Sequence, residues 1–133
     1  MQRIILSTGL AFFIFILWVI FMANTGQDTF LFEMTRRIPF GDKLGHILVF
    51  GTLTLFANLA LQGRCIRYHF MSIYWGAVAV LIFVTLEELS QYFIATRSLD
   101  IWDYLANLVG IFGFSWLTRE IIKKASLFNK ASY

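Results

Sequence analysis

The chain alternates long apolar runs with short polar breaks, and its first run is uninterrupted from Ile4 to Ala23. About 20 helical residues cross the hydrocarbon core of a bilayer, so this run reads as a membrane-spanning helix. Three further stretches reach or approach that length. They are Leu44 to Leu61, which carries His46 and Asn58, then Phe70 to Leu89, and Ile101 to about Ile122. The pattern predicts an all-α membrane protein, a bundle of four transmembrane helices in a single domain over residues 1–133. Its spans are expected at about 4–23, 44–61, 70–89 and 101–122, with a basic tail, short and amphipathic or disordered, over 123–133. Arg3 precedes the first run as in a signal peptide. The run is longer than the roughly 7–15 residues of a signal h-region, so it is expected to be retained.

The breaks are unequal. Asn24 to Lys43 is the long one, with Ile38-Pro39-Phe40-Gly41 as a turn before the second span. Gln62 to His69 is short and basic, and Ser90 to Asp100 begins while the third span is still helical. With the N-terminus inside, Arg3, Arg64, Arg67, Arg119, Lys123, Lys124 and Lys130 fall on the inner side. Arg36, Arg37, Lys43 and Arg97 fall outside. Seven against four favours both termini in the cytoplasm.

Composition agrees with a membrane protein: 59% of residues are hydrophobic and 14% charged, against about 25% charged in soluble domains. The single cysteine, Cys65, excludes an intrachain disulfide and a multi-cysteine metal site. The net charge of +3 sits in short loops and at the C-terminus, a pattern of membrane orientation, so no nucleic-acid partner is expected.

Against this background the polar residues of the last two spans stand out. Glu88, Gln91, Arg97, Asp100, Asp103 and Asn107 border or enter hydrocarbon, where a charge at the centre of a helix costs about 2.5–3.5 kcal/mol. Such residues normally face a bundle interior or a watery cavity. Asp100, Asp103, Asn107 and Gly110 follow at spacings of 3, 4 and 3, forming one stripe on a helix. Asn107 lies about 10 Å below Asp100, so the stripe should point at other helices rather than at lipid. Asp42 and Lys43 share a face with His46, and Glu88 shares one with Gln91, leaving Glu87 as the weaker of the adjacent carboxylates. The topology gathers all these groups at the outer membrane face. Gly110, Gly113 and Ser115 read as small-residue helix packing, and Trp18, Trp75, Trp102 and Trp116 as interfacial anchors.

In order, Ile38-Pro39, Asp42-Lys43-x-x-His46, Glu88-x-x-Gln91, Arg97 and Asp103-x-x-x-Asn107-x-x-Gly110 resemble the VanZ-like family of small integral membrane proteins. The resemblance covers about residues 36–114. One departure is Ala95-Thr96, where many relatives carry Pro-Gly before the arginine. The resemblance implies a bacterial envelope protein of the inner membrane, related to glycopeptide resistance, and supplies no mechanism.

The chemistry of the residues suggests an outward pocket that binds an anionic, lipid-linked envelope molecule. Asp42, Lys43, Gln91, Arg97 and Asn107 would contact it, since guanidinium and ammonium suit phosphate. If the pocket is catalytic, Glu88, His46 and Asp103 are the groups for proton transfer. No cofactor is called for. One histidine with scattered carboxylates makes a poor zinc site, so no metal ligand set is expected. The partners admitted are membrane lipids or a lipid-linked precursor, and a second copy of the chain. The rival reading is a structural or partner-binding protein in which the same polar groups only lock the bundle. A proton-coupled transporter is disfavoured, because no paired inverted repeat is visible.

Overall fold

The computed structural model describes residues 1–27, 29–69 and 71–131, leaving aside the side chains of Met71 and of 127–131. Five helices and one hairpin follow in the order α1 (Gln2–Asn24), α2 (Phe30–Arg37), α3 (Gly41–Ala60), β1 (Cys65–Tyr68), β2 (Met71–Tyr74), α4 (Trp75–Gln91) and α5 (Ile101–Ala131). Three of the helices, α1, α3 and residues Ile101–Ser126 of α5, are long and apolar enough to cross a membrane.

The stretch expected as the third span differs. Met71–Tyr74 is a strand, paired antiparallel with β1 in the register Cys65↔Tyr74, Ile66↔Ile73 and Arg67↔Ser72; Phe70 lies outside the described residues. Isoleucine, tyrosine and other strand-favouring side chains on both arms suit a hairpin. The Trp75 N–H extends the ladder to the Arg64 carbonyl at 3.1 Å. Gln62 and Gly63 turn the chain into β1 with φ of 56° and 67°. The helix that remains, α4, has 17 residues, about 25 Å at 1.5 Å per residue. That is shorter than the roughly 30 Å hydrocarbon core.

Two further boundaries shift. The long first break contains α2, an eight-residue helix with exposed Phe30, Leu31 and Met34 and with Arg36 and Arg37 in its last turn. The expected tail continues α5 to Ala131. No Gly or Pro interrupts residues 114–131, and Glu120 precedes Lys123 and Lys124 at helix-supporting spacings.

α3 is central, packing on α1, α4 and α5. The buried core joins Ile16 of α1, Phe50 and Leu53 of α3, Val80 and Val84 of α4, and Ile111 of α5. Phe83 ties it together, lying edge-on to Phe13 at 5.3 Å and tilted against Phe50 at 6.4 Å between centroids. The closest approach is between α3 and α5. A Cβ on Gly110 would collide with the Ile47 carbonyl, and one on Gly51 with the Phe114 ring. Gly113 corrects the small-residue expectation: nothing lies within 4 Å of its would-be Cβ, and it is exposed where Gly110 is buried.

Away from the α3 N-terminus, the fully buried Asn58 links three helices. Its Oδ1 accepts from the Ala77 N–H at 2.8 Å, and its Nδ2 donates to Thr118 Oγ1 at 3.3 Å. Gly76 permits this, since a Cβ there would meet the α3 backbone at Ala57 and Asn58.

Candidate functional site

Local sequence sets the start of α3 firmly. Ile38 is extended, as a residue before proline should be, and Phe40 turns the chain in the left-handed region at φ 58°. Gly41 follows where a Cβ would strike the Thr35 carbonyl. The next turns present Asp42, Lys43 and His46 to the start of α5.

Across that contact the stripe runs from Asp100, just before α5, through Asp103, Asn107 and Gly110 of the helix. The Lys43 ammonium donates to Asp100 Oδ2 at 2.8 Å and to Asp103 Oδ1, and lies 3.5 Å from Asp42 Oδ2. Deeper, His46 Nδ1 meets Asn107 Oδ1 at 2.9 Å, with the imidazole stacked on Phe50. Asn107, fully buried, donates through Nδ2 to Glu88 Oε1 at 3.0 Å and so brings in α4. Gly110 then closes the helices together one turn further on. The second carboxylate oxygen of Glu88 is buried and has no hydrogen-bond partner among the described residues.

A second, adjacent group forms around Glu87. Gln91 Nε2 donates to both of its carboxylate oxygens at 3.1 Å, and an Arg97 guanidinium nitrogen lies 4.0 Å from Oε1. Spacing had favoured Glu88 as the partner of Gln91. The structure pairs Gln91 with Glu87, a residue sequence reasoning ranked low although 87 and 91 stand at the equally good i,i+4 spacing. Both carboxylates are buried, Glu87 8% and Glu88 4% exposed, so burial does not separate them; Glu88 is turned to Asn107 of α5 and Glu87 to Gln91.

The site residues named from sequence therefore divide into two sets. Asp42, Lys43, His46, Glu88, Asp103 and Asn107 share one network with Asp100, while Gln91 and Arg97 belong to the Glu87 group. Both cations are engaged by carboxylates: Lys43 balances Asp100 and Asp103, and Arg97 faces Glu87. Asp42, Glu87, Glu88, Asp100 and Asp103 together outnumber Lys43 and Arg97, so the site carries a negative excess. The hydrogen bond from Lys43, supported by the Trp102 backbone N–H, holds the Asp100 carboxyl below its ordinary range.

Asp42, His46 and Asp103 each turn one ligand-type atom to a common point, all within 4.8 Å of one another. Sequence spacing does not suggest this set, because Asp103 comes from another helix. Beside the network lies a cavity of about 240 Å³ between α4 and the start of α5, lined by Thr85, Glu88, Leu89, Leu99, Ile101 and Tyr104. Its walls are mostly apolar, with a Thr85–Tyr104 hydroxyl contact of 3.1 Å. Compared with known proteins, the chain matches no family model, no curated protein and no solved structure.

Proposed function

We propose that this chain is a VanZ-like protein of the bacterial inner membrane that recognises an anionic, lipid-linked molecule of the cell envelope. In this reading α4 is a short fourth span, both termini are cytoplasmic and the polar network faces outward. The observation that carries the reading is the α4–α5 cavity. It is an apolar slot with Glu88 in its wall, so it meets the polar network at a single carboxylate. An acyl or isoprenoid tail suits Leu89, Leu99 and Ile101, and a head group would then reach the network. Because Lys43 and Arg97 already contact carboxylates, phosphate would bind by exchanging with those carboxylates. Glu88 and His46 are the groups suited to moving a proton there.

The test is the lipid that accompanies the protein. Purified in mild detergent, the native chain should retain an anionic envelope amphiphile identifiable by mass spectrometry, and Leu99→Trp, which fills the slot, should lose it. Equal retention by the two proteins would refute the reading.

One observation favours the structural rival. Nearly every polar side chain of the network already has a protein partner, as in a lock between helices. Under that reading Glu88→Gln and Asp103→Asn lower the amount of folded protein in the membrane, whereas under ours Glu88→Gln alters lipid retention at normal membrane levels.

A further inference from the structure

The imidazole of His46 is oriented from behind. Asn107 donates its Nδ2 to the Glu88 carboxylate, which fixes the amide with Oδ1 toward the histidine. The reversed amide would set a carbonyl oxygen against that carboxylate. Nδ1 of His46 therefore carries a proton, and in the neutral imidazole Nε2 presents its lone pair on the opposite edge of the ring.

That lone pair faces two carboxylates. Asp103 Oδ2 lies 3.8 Å away and Asp42 Oδ1 4.0 Å, beyond hydrogen-bond reach. Three electron-pair donors turned toward one point repel each other unless a positive charge lies among them. Two atoms each about 2.1 Å from a tetrahedral centre stand roughly 3.4 Å apart, so the three groups, all within 4.8 Å of one another, would have to draw together to share one ion. Lys43 does not occupy this point. It takes the other oxygens of the same groups, Asp42 Oδ2 and Asp103 Oδ1.

The charge count agrees. Asp42, Asp100 and Asp103 surround a single ammonium, which leaves two negative charges for a divalent ion to offset. Glu88 stands behind Asn107 as a second indication. It is 4% exposed, its Oε1 anchors the Asn107 amide that orients His46, and its other oxygen has no partner among the described residues. A histidine ligand whose far N–H is held by a carbonyl, itself anchored on a carboxylate, is the arrangement that orients imidazole on metals.

We propose that Asp42 Oδ1, His46 Nε2 and Asp103 Oδ2 form a binding site for one first-row divalent cation of the Zn²⁺ or Mn²⁺ type. Mixed imidazole and carboxylate ligation suits these ions better than Ca²⁺ or Mg²⁺. Three protein ligands leave at least one coordination position for water or an oxygen of a bound molecule, the pattern of working rather than purely structural sites. The entry path is Asp42, whose side chain is 66% exposed. The inference does not depend on any particular substrate.

The full chain in detergent micelles is stripped of metal, dialysed against Zn²⁺ or Mn²⁺ alone, and its metal content counted by mass spectrometry. One saturable ion per chain is expected. His46→Ala should lose it, Asp42→Asn should bind at least tenfold more weakly, and His69→Ala, altering the other histidine, should bind as the native chain does. Asp42 is exposed, so its variant tests binding with the fold intact. Zn²⁺ should raise the thermal midpoint of the native chain and of His69→Ala, and leave that of Asp42→Asn unmoved. Metal uptake by the native chain no greater than by His46→Ala would overturn the proposal and assign the positive charge to a proton on Nε2. Native-like binding by both Asp42→Asn and Asp103→Asn would overturn it equally.

Discussion

His46 and Asn107, 61 residues apart in sequence, meet at 2.9 Å between α3 and α5. Through Asn107 the contact extends to Glu88 on α4, so one carboxamide couples three helices. Asn107 is fully buried, and without it both an imidazole N–H and a carboxylate lose their partner. Asn107→Leu should therefore destabilise the protein by about 1–3 kcal/mol, the usual penalty for stranding buried polar groups. Thermal or denaturant unfolding in detergent measures this, and an unchanged midpoint would show that the network adds nothing to the bundle.

Two glycines three residues apart on α5 should behave oppositely. Gly110→Ala forces α3 and α5 apart at the Ile47 carbonyl and should cost about 1–3 kcal/mol, as overpacking does. Gly113→Ala meets no neighbour and should gain about 0.5–1 kcal/mol from helix propensity. Comparing the two melting curves checks the packing of this helix pair directly.

The pair between Glu87 and Arg97 should be weak. Although Glu87 is buried, the 4.0 Å separation is at the limit of an ion pair and Gln91 already donates to both of its carboxylate oxygens, so a coupling of only about 0–1 kcal/mol is expected. A double-mutant cycle with Glu87→Gln and Arg97→Ala gives the number. Coupling well above 1 kcal/mol would mean that Arg97 is held too firmly to exchange its carboxylate for phosphate.

Acid should loosen the link between Lys43 and Asp100. The folded-state pKa of Asp100 lies below its ordinary value because Lys43, and then the Trp102 N–H, hydrogen-bond the ionised carboxylate. The contribution is therefore present above the ordinary carboxylate pKa and lost as pH falls through the lowered one. Asp100→Asn should remove this part of the acid dependence of the unfolding midpoint. An acid limb identical in the two proteins would count against the link.

Sidedness follows from the proposed topology. Cys65, the one cysteine, starts β1 on the proposed cytoplasmic side, and Asp42 lies on the opposite side. A membrane-impermeant maleimide should reach Cys65 only in opened cells. It should label Asp42→Cys, in a chain whose Cys65 is replaced by Ser, in intact ones. The reverse labelling pattern would invert the topology.

Sequence periodicity alone determined that the chain is helical and apolar enough for a membrane, and it identified the stripe Asp100, Asp103, Asn107 and Gly110. A helix has a fixed rotation per residue, so residues three and four apart must share a face whatever surrounds them. Partnership is a different matter. That Lys43 takes two aspartates, that Gln91 chooses Glu87 over Glu88, and that Asp103 joins Asp42 and His46 depends on how α3, α4 and α5 are rotated against one another. That rotation is set by contacts between distant residues, among them the seating of Gly110 on Ile47 and of Gly76 on Asn58. Hydropathy likewise could not separate Met71–Tyr74 from α4. An apolar run is equally compatible with strand and helix, and only pairing with Cys65–Tyr68 decided between them.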